Sequence, residues 1–180
     1  MATHIALYRG INVGGKNRVP MAELRQIFEE AGARDVETLI QSGNVVFEAP
    51  ARKARAICDD VVAAVTLQLG VSAPLVLRSR AQFERASGVH PLGAADSAPK
   101  AFSVGFLSAR PTKTQVAGLE PERFAPDVCL VEGSEVYLHY PGGIARSKLT
   151  VAYLDRVLGA VTTVRNWATV QKIAAVAASR

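Results

Sequence analysis

Apolar and polar residues recur along this chain with two different periods, which predict strands and helices. Runs such as HIALYR and NVVFEA are short and mostly apolar, and they predict strands. In MAELRQIFEEAG, the apolar residues Leu24, Ile27 and Phe28 share one helical face, which predicts a helix ending near Gly32. Up to residue 80 the pattern therefore gives strand, helix, strand, strand, helix, strand, and a short helix follows.

The second half of the chain repeats this order of elements. The pattern predicts strands at AFSVGFLSA, VCLVE, VYLHY and VTTVR, and helices at PTKTQVAGL and SKLTVAYLDRVLG. We therefore predict an α+β fold of two tandem ferredoxin-like βαββαβ units with antiparallel sheets of strand order 4-1-3-2. Residues 1–88 would form the first unit, residues 89–99 an irregular connection, and residues 100–180 the second unit with an added C-terminal helix.

The connection between the first strand and the first helix is unusually long. It reads RGINVGGKNRVP, whereas such connections usually take about 2–6 residues. GINVGGKN matches the phosphate-binding pattern GxxxxGK[ST] except at Asn17, where a hydroxyl would bind magnesium. Because that hydroxyl is missing and Pro20 delays the helix, we exclude a nucleotide-hydrolase loop. Two interpretations stay open: backbone amides with Lys16 could hold an anion, or the glycines only permit turns with positive φ.

Strand directions bring this loop to the same sheet edge as the first hairpin. We expect the loop to fold onto Ser42–Gly43–Asn44, with Gly14 and Gly15 at positive φ and with Asn12 and Asn44 satisfying backbone groups. The candidate ligand-binding residues at this edge are Arg9, Asn12, Gly14, Gly15, Lys16, Gln41, Ser42 and Asn44.

In the second half, the segments YPGGIARSK and TTVRNW meet at the opposite edge. We expect Ser147 and Asn166 to cap the two following helices. Two helix N-termini beside cationic side chains favour anion binding, although capping and packing alone would also explain Ser147, Asn166 and Trp167. The candidate residues here are Arg146, Ser147, Lys148, Arg165 and Asn166.

The distribution of charge points to the second edge. The formal net charge is +5, and residues 141–180 hold six Lys or Arg against one Asp, so residues 1–140 are balanced. A basic excess of this kind suits an anionic partner such as a phosphate ligand, nucleic acid or an acidic protein. A solvated basic face is the simpler alternative.

The remaining composition excludes several classes of protein. No run of about 18 apolar residues is present, and MATHIALYRG shows no signal-peptide pattern, so we expect a cytoplasmic protein that does not engage a membrane. Cys58 and Cys129 lack motif spacing and are expected to be buried, reduced thiols. The three histidines have no partner at ligand spacing, so we expect no metal and no other cofactor. The sequence does not predict the oligomeric state.

Four segments of the chain resemble the signature segments of the bacterial domain of unknown function 1697 family. They are RGINVGGKNRVPMAEL, IQSGNVVF, YPGGIARSKL and TVRNWATVQK, and with their spacing the resemblance covers nearly the whole chain. It implies an α+β fold related to tandem ferredoxin-like units and brings no established activity. The positions most similar to the family pattern are Arg9, Gly10, Asn12, Gly14, Gly15, Lys16, Gln41, Ser42, Gly43, Asn44, Ser147, Lys148, Arg165, Asn166 and Trp167.

Three classes of function are compatible with these observations. The first is binding of a small phosphate- or carboxylate-bearing ligand at the loop edges or in a cleft between the halves. Nucleophilic catalysis has no clear constellation, because no histidine or carboxylate pair accompanies Ser42 or Ser147, and the sequence does not decide whether the protein is an enzyme. The second is an RNA-binding module, although aromatic residues make up only 6% of the chain and the RNA-binding signature of such sheets is absent. The third is a protein-interaction domain that uses exposed sheet edges.

Overall fold

The computed structural model describes residues 1–180 and contains two four-stranded antiparallel sheets and six helices. The strands of the first sheet are β1 (Ala2–Tyr8), β2 (Arg34–Leu39), β3 (Asn44–Ala49) and β4 (Leu75–Ser79), and the helices of this part are α1 (Met21–Glu30), α2 (Ala54–Leu69) and α3 (Arg80–Ser87). The second sheet comprises β5 (Phe102–Leu107), β6 (Val128–Glu132), β7 (Glu135–His139) and β8 (Thr162–Asn166), and the accompanying helices are α4 (Lys113–Ala117), α5 (Val151–Leu158) and α6 (Trp167–Ala178). Two 3₁₀ turns span Pro121–Phe124 and Ile144–Arg146.

The strand order is the same in both sheets. It is β2-β3-β1-β4 in the first and β6-β7-β5-β8 in the second, and all neighbouring strands are antiparallel. The predicted order 4-1-3-2 is therefore confirmed. This topology places the β1–α1 loop beside the β2–β3 hairpin, and it places the ends of β7 and β8 on either side of the start of β5.

The chain divides into two compact units. One comprises Met1–Arg85 together with Ile173–Arg180, and the other comprises Ala86–Lys172. The segment predicted to be irregular, residues 88–99, contains neither helix nor strand. It is nevertheless anchored, because the Nε2 atom of His90 lies 3.1 Å from the Ser103 carbonyl and the indole of Trp167 donates to Asp96 at 2.8 Å.

The core of the first unit lies between one face of its sheet and helices α1 and α2. Leu24, Ile27 and Phe28 follow the i, i+3, i+4 spacing that keeps apolar side chains on one helical face, and all three are buried. The ring of Phe28 packs against that of Phe47 on β3, with 5.2 Å between centroids. Helix α2 then ends at Gly70, whose φ of 67° suits the left-handed residue that commonly stops a helix.

Both faces of the second sheet are buried. One face carries Leu107, Val136 and Leu138, which form a cluster with Leu154 and Leu158 of α5. The opposite face carries Val104, Phe106, Thr163 and Arg165, each less than a tenth exposed. Thr162, Thr163 and Arg165 of β8 are therefore buried although they point to both faces, whereas Asn166 at the end of the strand is exposed.

Two helix starts and one cysteine differ from what the sequence predicts. Proline suits the first position of a helix, which predicts helix starts at Pro20 and Pro111, but Pro20 precedes α1 in an extended conformation and Thr112 with Gln115 caps α4. Both cysteines are free, but only Cys58 is buried, whereas Cys129 is half-buried. Burial raises the pKa of the Cys58 thiol to about 12, which keeps it protonated and unreactive.

No helix of the protein combines the length and the apolar character needed to cross a membrane.

Candidate functional site

The connection between β1 and α1, residues 9–20, is here called the Gly-rich loop, and Asn12 joins it to the neighbouring hairpin by hydrogen bonds. The Asn12 amide nitrogen donates to the carbonyls of Val19 and Gln41, both at 2.8 Å, and its side-chain oxygen accepts from the Val19 backbone at 2.8 Å. The predicted fold of the loop toward the hairpin, with Asn12 as a polar anchor, is therefore confirmed. Asn44 acts differently, since it donates to Leu39 and Ser42 within the hairpin itself.

The glycines of this loop adopt the predicted conformations. Gly14 and Gly15 have φ values of 58° and 74°, which side chains with a Cβ atom adopt with difficulty. Gly43 of the hairpin has a second constraint, because a Cβ atom there would lie 2.5 Å from the Cδ1 atom of Ile11. Ile11 and Val19 are both 1% exposed and belong to the core. The unusual length of the loop thus has a packing reason, since the loop carries two apolar residues into the core.

An anion cradle at this loop would need backbone amides that are free to donate. The amides of Asn12, Lys16 and Val19 instead donate to acceptors within the loop. Lys16 and Arg18 are exposed at the tip, and the amide of Arg9 donates to the Pro74 carbonyl. The loop therefore presents two exposed cations, and three of its backbone amides already donate within the loop.

The loop between β7 and α5 holds its cationic residues on an ordered backbone. Leu149 is 1% exposed, and its carbonyl accepts from the buried Tyr140 hydroxyl at 3.3 Å while its amide donates to Ser147 Oγ at 2.9 Å. Burial raises the pKa of the Tyr140 phenol, so this hydroxyl stays protonated and donates. Because these contacts fix the backbone of Leu149, they also restrict the backbone of the neighbouring residues Arg146 and Lys148, whose side chains are exposed.

The capping residues at this edge differ in part from those expected. Thr150, not Ser147, caps α5, and its hydroxyl accepts from the Tyr153 amide at 3.2 Å. Asn166 caps α6 as predicted, because its side-chain oxygen accepts from the Thr169 amide at 2.8 Å. Ser147 therefore belongs to the loop rather than to the helix end.

Arg165 is a buried residue of the second sheet. It lies opposite Val104, is 8% exposed, and donates to the Val164 carbonyl at 2.9 Å. Burial lowers the pKa of its guanidinium to about 10, which still leaves it charged at neutral pH. Arg78 occupies the corresponding position of the first sheet, opposite Ile5, and is also buried. We expected an anion to meet Arg165, but burial removes its guanidinium from the exposed edge.

Two adjoining depressions flank the β7–α5 loop, and we call them together the basic groove. The first encloses about 320 Å³ and is lined by Arg123, Phe124, Lys148, Thr150, Ala152, Tyr153 and Arg156. The second encloses about 310 Å³ and is lined by Arg123, Phe124, Ala125, Pro126, Asp127, Gly142, Gly143, Arg146, Ser147 and Lys148. The wall they share therefore includes Arg123, Phe124 and Lys148.

The basic groove combines a buried aromatic base with exposed cations. The rings of Phe124 and Tyr153 meet edge to face with 4.6 Å between centroids and are 7% and 9% exposed. The guanidinium of Arg123 lies 5.8 Å from the Phe124 ring centroid, and that of Arg156 lies 5.6 Å from the Tyr153 ring centroid, distances at which cation–π attraction orients a guanidinium.

Cationic residues outnumber carboxylates in the lining of the basic groove. Its four cationic residues are Arg123, Arg146, Lys148 and Arg156, and Asp127 is its one carboxylate. Arg123 also contacts Glu120 at 3.1 Å, and both side chains are more than 60% exposed, so the pair holds Arg123 only weakly and leaves its side chain able to exchange Glu120 for another anion. The groove consequently presents a positive potential to solvent.

Sequence reasoning identified only part of the basic groove. The sequence identified Arg146, Ser147 and Lys148 as candidate binding residues. Arg156 contributed only to the count of charges after residue 140, and Arg123 was not identified. The three-residue spacing of Tyr153 and Arg156 on one helix could have indicated that pair. No sequence pattern connects the 3₁₀ turn of Arg123 with the β7–α5 loop, because that proximity follows from packing.

The fold places the chain among α+β proteins with two four-stranded antiparallel sheets of the same strand order. The chain belongs to the DUF1697 family, described as a protein of unknown function, which it matches over residues 1–137. This match confirms the family resemblance noted in the sequence; the matched range includes RGINVGGKNRVPMAEL and IQSGNVVF, whereas YPGGIARSKL and TVRNWATVQK lie beyond it. Among solved structures, the conserved bacterial protein SP0830 from Streptococcus pneumoniae is similar, with 25% identity, a TM-score of 0.66 and 99% of each chain covered. No curated protein matches the chain.

Proposed function

We propose that this protein binds a small anionic ligand, bearing phosphate or carboxylate groups, in the basic groove. The observation that supports this function best is the lining itself, in which four cations face one carboxylate across two adjoining depressions. Each depression is close to the lower end of the roughly 300–1,000 Å³ found for small-molecule sites. A ligand of modest size would therefore contact several cations together.

The supporting structure favours binding because it positions part of the lining of the basic groove in advance. The loop that bears Arg146 and Lys148 is anchored by the buried Leu149, and Arg156 is oriented over the Tyr153 ring. Side chains that are already ordered lose less conformational entropy when a ligand binds. Guanidinium groups additionally offer two-pronged hydrogen bonds to phosphate or carboxylate oxygens.

The proposal retains part of the residue set that the sequence suggested. Arg146, Ser147 and Lys148 line the basic groove. Asn166 is engaged as a helix cap and Arg165 is buried, so we leave both outside the proposed site. We also leave out the Gly-rich loop, because the amides of Asn12, Lys16 and Val19 donate within the loop.

We further propose that each sheet with its two crossover helices is a ferredoxin-like unit. The support is the βαββαβ order of elements together with the strand order in both sheets. Such sheets can bind RNA by stacking bases on exposed rings. The aromatic residues of the basic groove are less than a tenth exposed, so the groove favours a ligand recognised by charge over one recognised by stacking.

A thermal-shift screen at low salt tests the proposed function. The compounds would be phosphate, sugar phosphates, nucleotides, dicarboxylates and a short RNA, applied to the native protein and to the double variant Arg146→Ala/Lys148→Ala. We expect at least one small anion to raise the melting temperature of the native protein by mass action and to lose that effect in the double variant. The matched control is Lys16→Ala/Arg18→Ala, which removes two exposed cations at the other edge and should leave the shift unchanged. A shift lost only in this control would place the ligand at the Gly-rich loop.

A further inference from the structure

We infer that the ligand of the basic groove is a polyhydroxylated, non-aromatic compound that carries two anionic groups, one for each depression. This inference rests on the proposed function and specifies the class of ligand. The sugar bisphosphates are its simplest representatives.

The requirement for two anionic groups follows from the way the cations are divided. Arg156 lines only the first depression and Arg146 only the second, while Arg123 and Lys148 line both. A single phosphate in one depression would leave the outlying arginine of the other facing solvent. A compound with two separated anionic groups would pair with both outlying arginines and place its centre beside Lys148, where attraction to either group adds.

The polar groups of the lining indicate a hydroxylated centre for the ligand. The hydroxyl of Thr150 accepts from Tyr153 and that of Ser147 accepts from Leu149, so each retains its proton for donation to another oxygen. Asp127 would repel an anionic group, but its carboxylate can accept from a ligand hydroxyl. Hydroxyl donors together with a carboxylate acceptor match the hydroxyl groups of a polyol.

The aromatic residues of the lining exclude recognition by stacking. Phe124 and Tyr153 are 7% and 9% exposed, and Arg123 and Arg156 lie over their rings. No broad ring face is therefore accessible to a nucleobase, which in proteins that bind by stacking rests on an exposed ring. The buried rings therefore favour a sugar bisphosphate over a nucleotide of equal charge.

Isothermal titration calorimetry with matched probes tests this inference. The probes are glucose 1,6-bisphosphate, glucose 6-phosphate, inorganic phosphate and ADP at constant ionic strength. We expect the bisphosphate to bind the native protein at least about tenfold more tightly than the monophosphate, since a second charged contact is gained. Arg146→Ala and Arg156→Ala should each abolish most of that tenfold difference. Arg110→Ala, which removes an exposed arginine outside the basic groove, should preserve it.

The possible outcomes separate this inference from the proposed function. Equal affinity for glucose 6-phosphate and glucose 1,6-bisphosphate would overturn the two-anion ligand and leave anion binding in place. Tighter binding of ADP than of the bisphosphate would overturn the non-aromatic assignment. No heat with any probe, in variants and native protein whose melting temperatures agree within a few degrees, would overturn both proposals.

Discussion

At the scale of single residues, Asn12 shows how one side chain can organise a long loop. Its left-handed backbone, with φ of 54°, directs three side-chain hydrogen bonds to Val19 and Gln41. We expect Asn12→Ala to lower the free energy of unfolding by about 2–3 kcal/mol, because it removes these bonds and places alanine at positive φ. Urea denaturation measures this change.

The matched control for this variant is Asn17→Ala. Asn17 also has positive φ, at 51°, but its side chain makes a single exposed hydrogen bond to Gly10. We expect a clearly smaller loss of stability than for Asn12→Ala. Equal losses for the two variants would show that backbone conformation, and not the bonds to the hairpin, stabilises the loop.

His90 gives a second prediction at this scale, which concerns pH. Burial lowers the pKa of its imidazole, and the ring packs against Phe102, Tyr137 and Trp167. Because the folded state disfavours the protonated ring, its contribution to stability is complete above the unfolded pKa of about 6.5 and is lost as pH falls through the folded pKa. His4 has a pKa shifted in the same direction by burial.

Urea denaturation between pH 7.5 and pH 5 tests the histidine prediction. The native protein should lose stability as pH falls through this window. His90→Gln and His4→Gln should each give a shallower decline, and the double variant should give the shallowest. A double variant whose decline equals that of the native protein would assign the pH dependence to other groups.

At the scale of elements, α5 shows how the capping residue determines where a helix begins. The sequence predicted a helix from Ser147, but the helix begins at Val151 with Thr150 as its cap. We expect Thr150→Ala to lower the free energy of unfolding by about 1 kcal/mol and to accelerate hydrogen exchange at the Tyr153 amide. Ser147→Ala should instead accelerate exchange at the Leu149 amide. The capping assignment would be refuted if Ser147→Ala exposed the Tyr153 amide.

Most elements could be predicted from the sequence, because apolar periodicity determines which face of a helix or strand is buried. NVVFEA and VCLVE coincide with β3 and β6 without a shift of boundary. The start of α5 could not be predicted, because Leu149 fits the apolar pattern of the helix although it is buried in the loop that precedes it. Arg165 could not be placed either, since its sequence pattern does not reveal that both faces of the second sheet are buried.

At the scale of the whole molecule, the linear charge count overstated the basic surface. Of the six cations after residue 140, Arg165 is buried and Arg180 contacts Asp35 at 3.1 Å and Glu37 at 2.9 Å. Arg146, Lys148 and Arg156 are the three that reach the basic groove. Arg123, from the part of the sequence whose charges balance, completes the set. Proximity in the fold, and not position along the chain, therefore defines the candidate site.

Arg180 itself connects distant parts of the chain. Its side chain is only 8% exposed and pairs with two carboxylates of β2, so the C-terminal residue is fixed within the first unit. We expect Arg180→Ala to lower the free energy of unfolding by about 1 kcal/mol, measured by urea denaturation. Arg25→Ala, which breaks an exposed pair with Glu29 inside one helix, should cost less. An Arg180→Ala protein as stable as the native one would show that the C-terminal contacts contribute nothing.

Anion binding by the basic groove is tested most directly by a ¹⁵N-resolved NMR titration with inorganic phosphate at constant ionic strength. We expect dose-dependent shifts of backbone amides in residues 121–127 and 142–150, with amides of residues 10–18 unaffected. We also expect Arg146→Ala/Lys148→Ala to abolish these shifts. Shifts concentrated in the Gly-rich loop, or shifts in residues 142–150 that persist in the double variant, would contradict the account.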